Sequence, residues 1–287
     1  MNLYTVNTGY FKLDGGAMFG VVPKSIWNKI NPADENNMCS WALRSLLIED
    51  GKRLILVDNG MGDKQDAKFF GHYYLHGDDT LDKSLAKYGF NRNDITDVFL
   101  THLHFDHCGG SILREGEKLV PAFKNAIYWS NEEHWNWAVK PNEREKASFL
   151  KENILPIQES GQLKFTETAK SNGSQLAQVS FADNFSIRFV NGHTQAMMLP
   201  QLKYNGKTIV YMADLLPSQG HIPLPYVMAY DMFPMTTLNE KKAFLTEALE
   251  NDYILFFEHD PFYECCNLQQ TDRGIRPKDF FKLEEMI

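Results

Sequence analysis

The chain has 287 residues, 43% hydrophobic and 23% charged, an ordinary globular composition that can bury a substantial core. Its formal net charge of -8, without a run of Lys or Arg, argues against nucleic acid as a partner or substrate. No uninterrupted apolar stretch approaches the roughly 20 residues of a membrane-spanning helix, so we expect no membrane association.

The cysteine pattern indicates the compartment. Cys39, Cys108, Cys265 and Cys266 form neither a disulfide framework nor a Cys-x-x-Cys zinc pattern, so we interpret them as free thiols. Free thiols are typical of a reducing compartment. Residues 1–10 lack a basic stretch followed by an apolar one, so no signal peptide is expected. These features predict a cytoplasmic protein.

Short apolar runs predict strands along the chain, and two turns between them are typical of hairpins. Asp-Gly at residues 50–51 and Asn-Gly at residues 205–206 are strong hairpin signals. The predicted strands, in chain order, are 41–48, 53–57, 96–100, 126–129, 186–190, 201–204, 208–212 and 253–258.

Helical spacing of apolar residues predicts helices between these strands. They cover 79–88, 132–139, 144–150 and 237–250. Thr237 and Glu240 form a capping pattern at the start of the last one, and no convincing helix surrounds His72 and His76. Length alone would allow two small domains. The order of elements, without a repeat or linker, favours one compact domain over residues 1–287, with sheets inside and helices outside.

The strongest chemical signal follows the strand predicted at 96–100. The sequence there is Thr-His-Leu-His-Phe-Asp-His, so His102, His104, Asp106 and His107 fall within six residues. Imidazole and carboxylate are common ligands of zinc and its neighbours. A helix would not gather all four on one face, whereas a loop at a strand end can point them inward. This loop therefore predicts a metal site.

Three further metal-capable residues also follow predicted strands: His193 in a Gly-His-Thr sequence, Asp214, and His259. Asp58 follows the early strand 53–57 in the same way. Each of these signals is weak alone, because a lone His or Asp at a strand end is more often a turn residue or a satisfied polar group. Their joint occurrence at strand ends strengthens the prediction.

The ordered set of His-x-His-x-Asp-His, Gly-His-Thr, a later Asp and a final His resembles the metallo-β-lactamase superfamily over about residues 40–260. The resemblance implies an α+β fold, an αββα sandwich of two mixed β-sheets flanked by helices, with the site along one edge of the sheets. It also implies two adjacent divalent metal ions, with zinc expected, sharing a hydroxide as the nucleophile.

The resemblance assigns the ligands in sets. The first metal would be held by His102, His104 and His193, and the second by Asp106, His107 and His259. Asp214 would bridge the two metals, and Asp58 would orient a ligating imidazole through its other nitrogen. Either Asp106 or Asp214 would handle the proton of the attacking water.

Two segments resemble one branch of this superfamily, which contains N-acyl-homoserine lactonases and organophosphate-hydrolysing relatives. They are residues 14–24 and residues 213–217 with the later His221. We therefore expect a small-molecule lactone substrate, with N-acyl-homoserine lactone as the leading candidate, and a quorum-quenching role. The alternative is hydrolysis of phosphotriesters, aryl esters or thioesters at the same site. Members of this branch often dimerise, which leaves a homodimer open.

One departure affects catalysis. Some lactonases of the family carry a Tyr three residues after the bridging Asp, where this chain has Pro217. His221 and Tyr226 are the candidates to replace it. The alternatives are a loop residue or buried polar anchor for His221, and a wall residue for Tyr226. His134 lies outside the motifs and is expected at the surface or a pocket rim, like His72 and His76.

Other functions of the fold are less consistent with the sequence. Di-iron flavoproteins usually have Glu in place of His104, and the 45 residues from Asp214 to His259 leave no room for the inserted domain of the nuclease branch. A catalytically silent ligand-binding sensor and a mononuclear iron dioxygenase acting on persulfides stay open. Metal analysis would identify the dioxygenase, and loss of a metal ligand would favour the sensor.

Overall fold

The computed structural model describes residues 1–169 and 176–286. The chain divides into two compact units. The first consists of Met1–Gly9 and Leu43–Glu167, and the second of Tyr10–Ala42 and the described part of Thr168–Ile287. The single domain expected over residues 1–287 stays a prediction.

The described residues form fifteen strands and eight α-helices. The strands are β1 (Asn2–Asp14), β2 (Met38–Asp50), β3 (Arg53–Val57), β4 (Asp97–Phe99), β5 (Ile112–Glu115), β6 (Lys118–Pro121), β7 (Ile127–Ser130), β8 (Leu163–Phe165), β9 (Gln178–Ala182), β10 (Phe185–Val190), β11 (Met197–Tyr204), β12 (Lys207–Tyr211), β13 (Ile254–Phe256), β14 (Cys265–Thr271) and β15 (Gly274–Phe281). The α-helices are α1 (Gly15–Phe19), α2 (Lys24–Trp27), α3 (Ala67–Tyr73), α4 (Leu81–Lys87), α5 (Phe105–Cys108), α6 (Glu132–Val139), α7 (Lys151–Glu159) and α8 (Pro234–Glu250).

A six-stranded sheet has the order β1-β2-β3-β4-β7-β8. β2 and β3 form the predicted hairpin, which closes at Asp50 and Arg53, and Gly51 adopts the left-handed φ of +62° that the turn needs. Helices α4 and α7 bury Leu85 and Ile154 in one hydrophobic core with strand residues of this sheet.

The direction of the strands positions the first set of candidate ligands. β3 and β4 are parallel, with Val57 opposite Phe99, so both strands end at the same edge of the sheet. Asp58 follows the first of these strands directly, and His102 follows the second after a two-residue connection. These residues therefore emerge close together although they are far apart in sequence.

The second unit places its candidate ligands in the same manner. Its sheet has the order β15-β14-β13-β12-β11-β10-β9. β10 is antiparallel to β11, β11 is antiparallel to β12, and β12 is parallel to β13. β10, β12 and β13 consequently run in one direction and end at one edge. His193, Asp214 and His259 follow these three strand ends.

Several predicted elements need correction. The helix expected at 144–150 is wrong, because this segment forms turns and the helix α7 begins at Lys151. The capping role of Thr237 is also wrong, because α8 begins earlier, at Pro234, so Thr237 lies inside the helix. Helix α3 contains His72, so the expectation that no helix surrounds this residue is wrong. The other predicted strands and helices correspond to observed ones; 53–57 and 132–139 match the bounds of β3 and α6, and the rest have shifted ends.

Two further predictions concern the whole chain. All four cysteines are buried free thiols, as expected. Within residues 1–169 and 176–286, no helix combines the length and the apolar character that crossing a membrane requires.

Candidate metal centre

In the first unit, the structure brings the four motif residues together in a buried loop and the short helix α5. The Nε2 atom of His102 lies 3.1 Å from the Nδ1 atom of His104. The Nε2 atom of His107 lies 3.8 Å from a carboxylate oxygen of Asp106. The rings of His102 and His107 are also close, with centroids 3.9 Å apart. One compact cluster of nitrogen and oxygen donors results.

Asp58 holds this cluster from behind. One carboxylate oxygen accepts the backbone N–H of Thr101 at 2.8 Å. The other accepts the Thr101 hydroxyl at 2.6 Å and faces His107 Nδ1 at 3.1 Å. Because the Thr101 hydroxyl donates to Asp58, its oxygen is left to accept from His102 Nδ1 at 3.1 Å. Asp58 thus lies where an orienting carboxylate is needed.

Two residues that the sequence did not indicate also support the motif. Glu145 is buried, and its Oε1 atom lies 3.0 Å from His104 Nε2. His134, expected at the surface or a rim, is instead fully buried, and its Nε2 atom accepts the backbone N–H of Leu103 at 2.9 Å. No local pattern marks either residue. His72 and His76 are exposed, as predicted.

In the second unit, Asp214 lies between two histidines. One of its carboxylate oxygens is 3.1 Å from His193 Nε2, and the other is 3.3 Å from His259 Nε2. The preceding residue, Ala213, has a left-handed φ of +40°, so the chain turns sharply as β12 ends. A carboxylate with one oxygen directed at each of two imidazoles has the arrangement expected of a bridging ligand.

The outward nitrogens of these two histidines are also held. His193 Nδ1 lies 2.9 Å from the buried Asp231, and His259 Nδ1 lies 2.8 Å from the carbonyl oxygen of Ala42. Burial lowers the pKa of His193, but Asp214 and Asp231 outweigh burial and raise the pKa to about 10. A cation at Nε2 would compete with this proton, since metal ligation needs the deprotonated nitrogen. Asp231 was not predicted.

Helix α8 fixes the loop that carries His193. Glu240, in this helix, accepts the backbone N–H groups of Asn191 at 2.7 Å and Gly192 at 3.0 Å, and burial raises the pKa of Glu240 to about 7. Gly192 packs so closely on the helix that a Cβ atom there would lie 2.3 Å from the backbone nitrogen of Thr237. The Gly of Gly-His-Thr is therefore needed for packing.

His221, a predicted catalytic residue, is buried with both ring nitrogens engaged. Nδ1 lies 2.8 Å from the Ser218 hydroxyl, and Nε2 lies 2.9 Å from the carbonyl oxygen of Met18, to which it donates. The ring stacks on Phe19 with a centroid distance of 4.9 Å. Burial lowers the pKa of His221 to about 3. These contacts favour the alternative of a buried polar anchor, and the catalytic role stays a prediction.

Tyr226, the other predicted catalytic residue, is half-buried with its ring edge-to-face on Phe19, 6.4 Å between centroids. Its carbonyl oxygen accepts from the Nζ atom of the buried Lys241 at 2.7 Å. Lys241 also donates to the carbonyl of Pro223 at 3.1 Å. The loop is thus tied to helix α8, while the role of the Tyr226 hydroxyl stays a prediction.

The donor sets fit metal ions. The outward nitrogen of each of the five candidate histidines faces a hydroxyl, carboxylate or carbonyl acceptor, so a metal ion would use the lone pair of the inward nitrogen. Two such lone pairs face each other across 3.1 Å between His102 and His104. Two nitrogens at about 2.0–2.1 Å from a tetrahedral zinc ion would be separated by roughly 3.3 Å. A shared cation would relieve their repulsion.

Comparison with known proteins identifies the family. The model of the metallo-beta-lactamase superfamily matches residues 44–259, so the chain belongs to this superfamily. The predicted fold class, the α+β metallo-β-lactamase fold with two mixed sheets and helices, is confirmed. The His and Asp clusters are suited to a dinuclear metal site, and the family and its donor sets make the chain a metal-dependent hydrolase. No curated protein matches the chain.

Solved structures with the same fold cover nearly the whole chain. A probable metal-dependent hydrolase from Staphylococcus aureus is 27% identical, with a TM-score of 0.86 over 99% of this chain and 97% of the other. AidC, a dizinc quorum-quenching lactonase solved with a product, N-hexanoyl-L-homoserine, is 22% identical, with a TM-score of 0.77 over 98% of this chain and 95% of the other. The hydrolase AbOPH is also 22% identical, with a TM-score of 0.74 over 98% of this chain and 94% of the other.

Proposed function

We propose that this chain is a dinuclear-metal hydrolase that opens a lactone ring, with an N-acyl-homoserine lactone as the leading substrate. One observation carries the metal centre: the two oxygens of Asp214 each face the inward nitrogen of a different histidine, His193 and His259. The structural likeness to AidC, which holds a homoserine product, supports the choice of substrate.

The proposal assigns the ligands of both units to one centre. His102, His104 and His193 would hold the first metal ion, and Asp106, His107 and His259 would hold the second. Asp214 would contact both ions. Zinc is the leading candidate, because His and Asp donors suit it. The four free thiols support a cytoplasmic location.

Divalent ions, when bound, would polarise the ester carbonyl and make water a competent nucleophile near neutral pH. The residues of the chain would orient the ligands and move the proton. Asp58 and Asp231 face the Nδ1 atoms of His107 and His193, and would keep a proton there while Nε2 binds the metal ion. Asp106 or Asp214 would accept the proton that the attacking water loses. Tyr226 is the candidate to contact the carbonyl or leaving oxygen, in place of the Tyr that is absent at Pro217.

The first experiment measures metal content together with substrate turnover. The purified protein would be analysed for metals and assayed on a panel of lactones, aryl esters, a thioester and an aryl phosphotriester, with and without chelator. We expect about two metal ions per chain and lactone opening that stops when chelator is added. One iron per chain, or no hydrolysis of any panel member, would contradict the proposal.

A matched variant tests the bridging residue. Asp214→Asn keeps the shape of the side chain but removes its charge and one of its acceptor oxygens, so we expect loss of at least one metal ion and a fall in kcat of about a hundredfold or more. Asp252→Asn, on a 64% exposed side chain, is the control.

Strong phosphotriester turnover with negligible lactone turnover would keep the metal centre and favour the alternative substrates. The absence of the lactonase Tyr at Pro217 is the observation that supports these alternatives.

A further inference from the structure

Glu145 is a buried carboxylate directed at a proposed metal ligand. Its side chain is only 1% exposed, and its Oε1 atom accepts the Nε2–H of His104 at 3.0 Å. Its Oε2 atom accepts the indole N–H of Trp137 at 2.7 Å and the amide of Asn142 at 3.3 Å. Three donors therefore converge on this carboxylate, and hydrogen bonds to the charged form are what stabilise a buried acid.

The backbone around Glu145 is built to present it. The side chain of Asn142 accepts the backbone N–H groups of Arg144 at 2.9 Å and Glu145 at 3.0 Å, which fixes the turn. A few residues later, the carbonyl oxygen of Ser148 accepts the N–H of Phe105, next to His104, at 3.0 Å. The same turn segment therefore holds both the carboxylate and the motif loop, so their separation is set by the fold.

The contact has a chemical consequence for His104. A carboxylate at Nε2 keeps the proton there and leaves the Nδ1 lone pair directed toward His102, 3.1 Å away. It also makes the ring a stronger donor through Nδ1. At the neighbouring His102, the outward nitrogen faces the Thr101 hydroxyl at 3.1 Å. His102 and His104 thus have different groups at their outward nitrogens.

We propose that Glu145 is a positioning residue that sets the affinity of the metal ion held by His104 and leaves the other metal ion unaffected. This inference rests on the ligand assignment of the proposed function. Glu145 would touch neither the substrate nor the metal ion. It acts through the His104 ring, by fixing its tautomer and orientation and by raising its basicity.

The test compares metal affinities of the wild type and Glu145→Gln. The metal-free proteins would be titrated with Zn²⁺ in competition with a chromophoric chelator, and with Co²⁺ while its absorption bands are recorded. A Gln amide cannot accept all three hydrogen bonds, because its NH₂ group would face a donor. We expect one of the two Zn²⁺ affinities to fall about tenfold to a hundredfold. The Co²⁺ bands of that ion alone should shift.

Two further variants keep the test decisive. Glu143→Gln changes a carboxylate two residues away that is 89% exposed, and should leave both affinities unchanged. Trp137→Phe removes one donor to Glu145 and should weaken the same metal ion by a smaller factor, which covers the case that Glu145→Gln does not fold. The inference is overturned if Glu145→Gln and Trp137→Phe both bind the two metal ions with unchanged affinities. It is equally overturned if both metal ions weaken together while the metal-free protein loses thermal stability.

The outcome is separable from that of the proposed function. If wild-type protein opens no lactone but Glu145→Gln selectively loses one metal ion, the substrate proposal fails and the role of Glu145 stands. If wild-type protein opens lactones and the variant binds both ions normally, the role of Glu145 fails and the substrate proposal stands.

Discussion

Gly192→Ala tests whether the loop carrying His193 depends on its packing against helix α8. A Cβ atom at this position would lie 2.2 Å from the hydroxyl oxygen, 2.3 Å from the backbone nitrogen and 2.5 Å from the Cα atom of Thr237. Ordinary van der Waals contacts of a Cβ atom begin near 3.4 Å. Two of the three contacts are with the helix itself, so a side-chain rotation cannot relieve them. The loop must move by about 1 Å.

The size of the effect follows from what this shift disturbs. Overpacking of a buried site costs about 1–3 kcal/mol. The shift also strains two hydrogen bonds of Gly192, its N–H to Glu240 at 3.0 Å and its carbonyl from the Phe233 N–H at 2.8 Å. Each is worth about 1 kcal/mol. We therefore expect the free energy of unfolding to fall by about 2–4 kcal/mol.

The assay is urea unfolding followed by circular dichroism on metal-free protein, with Zn²⁺ affinity measured in parallel. Because His193 follows directly, we also expect weaker metal binding. Gly71→Ala is the matched control: it makes the same change inside helix α3, where the new methyl group meets no atom within 4 Å beyond its chain neighbours and its own helix backbone, so stability should hold or rise. A free energy of unfolding of Gly192→Ala within about 0.5 kcal/mol of the wild-type value, together with normal Zn²⁺ affinity, would refute the reasoning.

Two other predictions concern buried titratable groups. Burial lowers the pKa of Lys241 to about 7 from its ordinary 10.5. Between pH 7 and pH 10.5 the unfolded chain therefore binds more protons than the folded chain. The free energy of unfolding of wild type, relative to that of Lys241→Met, should rise by about 1–2 kcal/mol from pH 7 to pH 8.5. A constant difference over this range would contradict the shift. His221→Gln should lose about 2 kcal/mol of stability with the two ring hydrogen bonds, while kcat changes less than tenfold. A hundredfold loss of kcat in a stably folded variant would instead favour catalysis by His221.

The ends of the sequence show where local patterns fail. The apolar runs of the sequence do not predict strands β1, β14 and β15. β15 is an edge strand with Pro277 and charged residues in it, a composition that normally argues against a strand. The helix predicted at 144–150 is replaced by turns because the Asn142 side chain accepts two backbone N–H groups there. In each case long-range pairing or a side-chain acceptor overrides local propensity.

The sequence by itself determined the hairpins, the order of most strands and the donors at their ends. A strand end followed by His or Asp is a local feature, and parallel strand direction gathers such ends at one edge. Asp58 was predictable as an orienting carboxylate, but the tertiary structure alone decided the partners of His193 and His104. Asp231 lies 38 residues from His193, and Glu145 lies 41 residues from His104. Such partners share no periodicity with the ligands that they orient, because a hydrogen bond across the fold depends on where two distant segments meet.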